Sequence, residues 1–176
     1  MLRTVVLLAA PLALGACATS LAPPAGDDIV GVADLRTSSG QSAGTATVVA
    51  IGNSLVVDVA ARNLPAGSKG FHLHTTGQCD APDFQSAGGH LNPFNKDHGF
   101  SDPGGAHLGD LPNLDVEPSG VTRTHFNLTG SREQILPYLF DADGTAVMIH
   151  AQPDDYVTDP SGDAGSRIAC GVLRRS

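Results

Sequence analysis

The chain has 176 residues, a formal charge of −8, no Trp and 21 glycines. Such a length suits one domain, and few aromatics among many turn formers favour a β-rich fold over a helical bundle. The acidic balance, with no basic run and no base-stacking aromatic cluster, argues against nucleic acid or an anionic membrane surface as a partner of the folded body.

The first element is a targeting segment. In MLRTVVLLAAPLALGAC, Arg3 supplies a short positive region, and Val5 to Leu14 an apolar one too short to anchor stably across a bilayer. It ends in Leu14-Gly15-Ala16-Cys17, which resembles the lipobox of bacterial lipoproteins, where cleavage precedes a cysteine that is then acylated. The expected division is a signal peptide over 1–16, a tether from lipidated Cys17 through 28, and one domain over 29–176. An ordinary secretory signal that happens to contain a cysteine is the plainer alternative. Cys79 and Cys170 then remain as an even pair in an exported protein, most simply a disulfide in an oxidising compartment.

Strand signals follow in Ile29 to Arg36, Gly44 to Ile51 and Ser54 to Ala61, rich in Val, Ile, Thr and Ala. The second and third are joined by Gly52-Asn53, a tight-turn dipeptide, which predicts a hairpin. Residues 69–74 form the next strand and carry FHLH. Alternation puts His72 and His74 on one face, and Phe71 and Leu73 on the other. From Thr75 to Pro118 strand character disappears, and a structureless loop this long needs something else to order it. Residues 131–139 (SREQILPYL) are the best helical candidate, broken by Pro137. Val121 to Thr129, Thr145 to His150 and Arg167 to Leu173 close the pattern of an antiparallel Greek-key β-sandwich or barrel, all-β and immunoglobulin-like, with long functional loops.

Six of the seven histidines (72, 74, 90, 98, 107 and 150) sit at strand ends or in the long loop, several against glycine, as metal ligands rather than scattered solvated side chains would. Imidazoles suit copper and zinc, and a carboxylate beside three imidazoles completes a tetrahedral zinc site. Six histidines and one Asp exceed the needs of one ion. They fill two four-coordinate sites only if one imidazole bridges both metals.

The stretches GFHLH, SAGGHLNP, DHG, AHLGDLPNL and VMIHAQPDDYVTDPSGDAGSRIACGVL resemble the copper/zinc superoxide dismutase family in its bacterial exported form, over nearly the whole chain from Ile29 to Leu173. The resemblance implies copper at His72, His74, His90 and His150, and zinc at His90, His98, His107 and Asp110, with His90 bridging. It implies that Asp154 holds the outward nitrogens of His72 and His98, that Arg167 attracts and orients the anion, and that Cys79 and Cys170 form the family disulfide. The implied activity is dismutation of superoxide to oxygen and hydrogen peroxide by a redox-cycling copper, with catalysis resting on Arg167 and His90. One copper and one zinc per subunit are the implied cofactors. Superoxide is the substrate, a lipid on Cys17 would attach the chain to a bacterial membrane facing the periplasm, and the resemblance leaves room for a homodimer.

Where family members often carry charged residues that help steer the anion, this chain has Thr75, Thr76, Gln152 and Val157. Attraction must then come from Arg167, the metals and Lys96. The rival function is an extracytoplasmic copper/zinc buffering module on the same sites, which a missing copper ligand or a missing Arg167 would favour. A structural or adhesive sandwich domain with one zinc, which would need neither the arginine nor an open copper position, is a second rival. His125 has no ligand partner in the pattern, and Asp141-Ala142-Asp143-Gly144 reads as a tight turn rather than a calcium loop.

Overall fold

Ile51 and Ser54 face each other across the Gly52-Asn53 turn, and pairing runs on from there to Gly44 and Ala61. Gly52 sits at φ 59°, the left-handed conformation that short hairpins use and glycine tolerates. The strands so joined are β2 (Ser42–Ile51) and β3 (Ser54–Ala61). This computed structural model describes residues 28–176; the signal peptide expected over 1–16, Cys17 and the tether up to residue 27 lie outside the described residues.

The other strands are β1 (Asp28–Thr37), β4 (Gly67–His74), β5 (Asp110–Val116), β6 (Thr122–Asn127), β7 (Thr145–His150) and β8 (Arg167–Arg175). They form one antiparallel eight-stranded sheet in the order β5-β4-β7-β8-β1-β2-β3-β6. The edge strands β5 and β6 approach each other, so the sheet curls into a nearly closed barrel. Two crossings, β3 to β4 and β6 to β7, give the Greek-key connectivity. The expected all-β architecture is the observed one.

Alternation fills the barrel. Leu55, Val57, Val59 and Ala61 of β3 point inward with Ala46 and Val48 of β2, and Phe71 and Leu73 of β4 with Val147 and Ile149 of β7. Each such side chain stabilises the fold by roughly 1.5–3 kcal/mol when fully buried. β4 and β7 are also buried on their outer faces, because residues 75–109 and 151–166 fold over them. There Met148, Ala146, Phe84, Ala87 and Cys170 make a second, smaller core. His72, His74 and His150 occupy the same outer face.

Two expectations need correction. The stretch from Thr75 to Pro118 does contain a strand, β5. Phe71 pairs with Leu111 but Lys69 with Leu114, so β5 carries one extra residue in a bulge. The bulge lets both Leu111 and Leu114 face the core, which replaces the period-two signal with a spacing of three. Pro112 is tolerated because β5 is an edge strand. The helix α1 (Arg132–Leu139) runs through Pro137 instead of breaking there. Ser131 and Gln134 form a reciprocal capping box, and Ile135 and Leu139 are buried. Glu133, whose carbonyl loses its helical donor to Pro137, is exposed to water.

Candidate metal centre

His72 and His74 leave the outer face of β4, and His150 ends β7 beside them, where Phe71 pairs with Ile149 and His74 with Ala146. The long loop is zipped onto the end of β4 by its backbone. Leu91 N donates to Leu73 O (2.8 Å), Leu73 N to Gly109 O (2.9 Å) and Gly109 N to Leu91 O (2.9 Å). Gly109 is required there, since any β-carbon would overlap the Leu73 carbonyl oxygen. This zipper sets His90 against His74 and brings His107 and Asp110 to the same floor. The disulfide Cys79–Cys170, with Cα atoms 5.7 Å apart, straps the start of the loop to β8.

Donor nitrogens of His72, His74, His90 and His150 lie within 4.8 Å of one another, all four residues buried. His74 Nδ1 donates to Gly88 O (2.9 Å) and His150 Nδ1 to Gly165 O (3.3 Å). Their Nε2 atoms therefore carry lone pairs and face each other at 3.4 Å. His72 Nε2 donates to Asp154 Oδ2 (2.7 Å), which leaves its Nδ1 buried without a partner. His90 turns Nδ1 to Asp110 Oδ1 (2.8 Å), and its Nε2 is buried without a partner as well. Buried polar atoms are normally satisfied. Lone pairs converging on one point without a donor are what a soft or borderline cation requires.

On the other side of His90, donor atoms of His72, His90, His98 and Asp110 also cluster within 4.8 Å. His107 joins through Nδ1, 3.2 Å from Asp110 Oδ1. Asp110 Oδ2 accepts Gly99 N and His107 N, both at 2.9 Å, so Oδ1 is the oxygen left facing the imidazoles. His98 Nε2 lies 3.2 Å from Asp154 Oδ2, near enough for an ion pair but off-line for a hydrogen bond, and neither nitrogen of His98 has a hydrogen-bond partner. Three imidazoles and a carboxylate at one floor match the donor set of a tetrahedral zinc site. The residues present thus fit both metals, with His90 between them.

Electrostatics agree with neutral ligands. Burial pushes the His74 imidazole down to about 2, His150 to about 3 and His90 to about 4, and lowers His72. His98 is the exception: burial lowers it, but Asp154 and Asp110 outweigh burial and hold it above its ordinary value. Burial would raise the Asp154 carboxyl, yet the hydrogen bonds from His72 and the Tyr156 N–H, with the His98 imidazole in ion-pair contact, keep it well below the carboxylate range.

A cavity of about 470 Å³ opens over the first cluster, lined by His74, His90, His150, Gln85, Asn92 and Arg167 among others. Arg167 is the one Lys or Arg among its lining residues, and no acid lines it. Its Nη1 donates to Phe84 O (2.7 Å) and its Nη2 to Gly88 O (2.6 Å). Lys96, expected to help attract the anion, does not line this cavity. Its backbone is tied to the Asn92 side chain in an exposed turn.

All seven expected ligands are therefore together, with Asp154 and Arg167 beside them. His125 stands apart and exposed on β6, opposite Asp58 of β3. Asp141 Oδ1 accepts Asp143 N and Gly144 N, the expected tight turn. The carbonyls of Phe84 and Gly88, which aim Arg167 and His74, were missed in the sequence, because a backbone acceptor leaves no residue-type signal. Gly88-Gly89 before His90 was the nearest hint.

Residues 42–173 match the family model for copper/zinc superoxide dismutase (SODC). The chain is 41% identical over 145 residues to Superoxide dismutase (Cu-Zn) 1 of Aquifex aeolicus, covering 81% of this chain and 86% of that protein. It is 48% identical over 126 residues to the Superoxide dismutase-like protein YojM of Bacillus subtilis, covering 68% of this chain and 62% of that protein. The crystal structure of a SOD-like protein from Bacillus subtilis superposes with a TM-score of 0.75 at 40% identity, over 81% of this chain and 97% of that one. The Cu/Zn superoxide dismutase from Brucella abortus superposes with a TM-score of 0.62 at 26% identity, over 81% of this chain and 98% of that one. The chain belongs to the copper/zinc superoxide dismutase family.

Proposed function

We propose that this chain is a lipid-anchored, periplasm-facing superoxide dismutase that holds copper at His72, His74, His90 and His150, and zinc at His90, His98, His107 and Asp110. The observation that carries the reading is the pair of buried, partnerless nitrogens His72 Nδ1 and His90 Nε2, clustered with the facing Nε2 atoms of His74 and His150. Copper supplies, when bound, a one-electron couple that can oxidise one superoxide and reduce the next, while zinc has no redox chemistry.

The protein does the rest. Arg167, its guanidinium locked on two carbonyls at the cavity wall, offers its remaining N–H groups and its charge to a small anion. Dismutation consumes two protons for each hydrogen peroxide formed from two superoxides. His90 Nε2, on the cavity side of a ring oriented by Asp110, is the atom at which one of those protons is held for delivery. Asp154 keeps the His72 and His98 rings turned with their other nitrogens toward the metals.

The anchoring part of the reading rests on Leu14-Gly15-Ala16-Cys17 at the end of the apolar run, and the Cys79–Cys170 disulfide suits an oxidising compartment. Metabolic labelling with a fatty acid, lost in Cys17→Ser, tests the lipid, and fractionation of the labelled cells tests the location. Pairing of two copies is compatible with the reading, and sedimentation of the domain from Ala18 onward decides it.

The test of function loads that domain with copper and zinc, removes excess metal, counts what is bound and measures superoxide removal on the same sample. One ion of each with fast, copper-dependent removal is expected. Both metals bound with no activity above free copper would leave a metal-buffering module instead.

A further inference from the structure

Asn113 lies on β5 in the bulge that sets Leu111 and Leu114 inward, and its side chain reaches a residue far away in sequence. Its Nδ2 donates to Asp154 O (2.9 Å), and its Oδ1 accepts Asp154 N (2.8 Å). Both hydrogen bonds thus go to the backbone of one residue, in the reciprocal pattern of a strand pair. The Asn113 backbone N–H in turn donates to the Tyr156 hydroxyl (2.9 Å), and Tyr156 N donates to Asp154 Oδ1 (2.6 Å). Asp154 Oδ2 is then free for His72 and His98. Tyr156 holds φ 64°, its carbonyl accepts Ser101 N (3.0 Å), and Gly99 admits it because any β-carbon there would overlap that carbonyl.

We propose that Asn113 is a positioning residue for the metal centre, fixing the Asp154 backbone so that one carboxylate oxygen meets the far nitrogens of both His72 and His98. The inference rests on the ligand assignment above. Asparagine suits the position because it alone among side chains of its length offers a donor and an acceptor together; an Asp could only accept. The Asp154 carboxylate is buried, so its direction follows from its backbone. A backbone free to rotate there would lose the alignment on two ligands at once. Groups that orient metal ligands typically contribute 10–100-fold in affinity, and one acting through such a group sits at the low end.

The experiment is a double-mutant cycle read as zinc affinity, by titrating metal-free protein against a chromogenic chelator. Wild type, Asn113→Ala, Asp154→Asn and the double variant are compared, with circular dichroism to check each metal-free fold. Asn113→Ala is expected to weaken zinc about tenfold in the wild-type background and less than about twofold in the Asp154→Asn background. The visible spectrum of cobalt in the zinc site should shift in Asn113→Ala, reporting altered ligand geometry. If the alanine variant does not fold, Asn113→Asp, which keeps the acceptor and loses only the donor, must weaken zinc in the same direction. Unchanged affinity in Asn113→Ala overturns the proposal, as does an equal loss in both backgrounds, which would mark general loosening of the loop. If Asp154→Asn itself binds zinc like wild type, the orienting role given to Asp154 falls and the proposal with it. If Asp154→Asn loses zinc while Asn113→Ala does not, the proposal alone falls.

Discussion

Arg167 and His74 donate to the same oxygen, the carbonyl of Gly88, at 2.6 Å and 2.9 Å. One peptide group therefore sets the direction of both the cavity-lining cation and an imidazole of the proposed copper cluster. Because His74 gives its Nδ1 proton to that oxygen, the Nε2 lone pair is fixed toward the cluster. The guanidinium cannot move along the cavity wall without disturbing the same peptide. Coupling the two through a backbone atom keeps charge and ligand in register whatever happens at the exposed rim.

Gly88 is accordingly a sensitive position. It sits at φ 73°, and a β-carbon would lie 2.8 Å from Thr75 Cγ2. Gly88→Ala should strain the turn by about 1–2 kcal/mol and rotate the carbonyl away from both donors. Copper affinity and turnover are expected to fall together. Metal titration and a superoxide assay on the same preparation check this, and wild-type values for both would refute the shared-carbonyl argument.

Arg167→Ile separates the two roles. His74 keeps its Gly88 acceptor, so copper should stay bound while superoxide removal slows by about tenfold or more. The variant should also lose most of the decline in rate that added salt causes, because Arg167 is the one Lys or Arg lining the cavity. Rates measured from low to high ionic strength give the answer. A rate equal to wild type throughout would remove Arg167 from the anion path.

Much of this candidate centre could be read in the chain because its proposed ligands are side chains of unusual types at strand ends. FHLH announces its geometry through the period of a strand alone, and His72 and His74 do share the outer face of β4. β5 was hidden because its bulge gives Leu111, Leu114 and Val116 a mixed spacing, and because Pro112 counts against a strand until its edge position is known. Pro137 misled in the same direction: local propensity favours a break, but the capping box and two buried side chains outweigh one missing hydrogen bond. The Asn113–Asp154 clasp spans 41 residues of sequence and uses backbone atoms on one side. No motif records such a contact.

The disulfide should matter to more than chain entropy. Cys79 and Cys170 lie in the small outer core with Phe84 and Met148, and Phe84 O is the second acceptor of Arg167. Replacing both cysteines by Ala should cost about 2–5 kcal/mol of unfolding free energy and also lower turnover, since the strapped segment carries both Arg167 acceptors. Urea unfolding of the metal-free variant and activity of the loaded one are the two measurements. Stability within about 1 kcal/mol of wild type would mean the outer core holds the loop without the strap.

The metal-free protein should weaken as the solution is acidified, over a window that the histidines define. His74, His90 and His150 have folded values near 2, 4 and 3, and His72 is lowered too, all from an ordinary 6.5 and chiefly through burial. Below 6.5 the unfolded chain binds protons at these positions that the folded chain refuses, so stability rises with pH there and is fully present only above 6.5. His98, held above 6.5, works the other way: its contribution is full below 6.5 and fades as pH rises through its folded value. Four groups outweigh one. Each lowered histidine makes stability fall as pH drops below 6.5, so the metal-free protein should be less stable at pH 5 than at pH 6.5. Asp110 and Asp154, both depressed, add to it only when pH falls to the carboxylate range. Urea midpoints of metal-free protein at pH 7.5, 6 and 5 test this. Equal midpoints would mean the imidazoles are already solvated without metal, and that the loop is ordered by zinc rather than by the barrel and the disulfide.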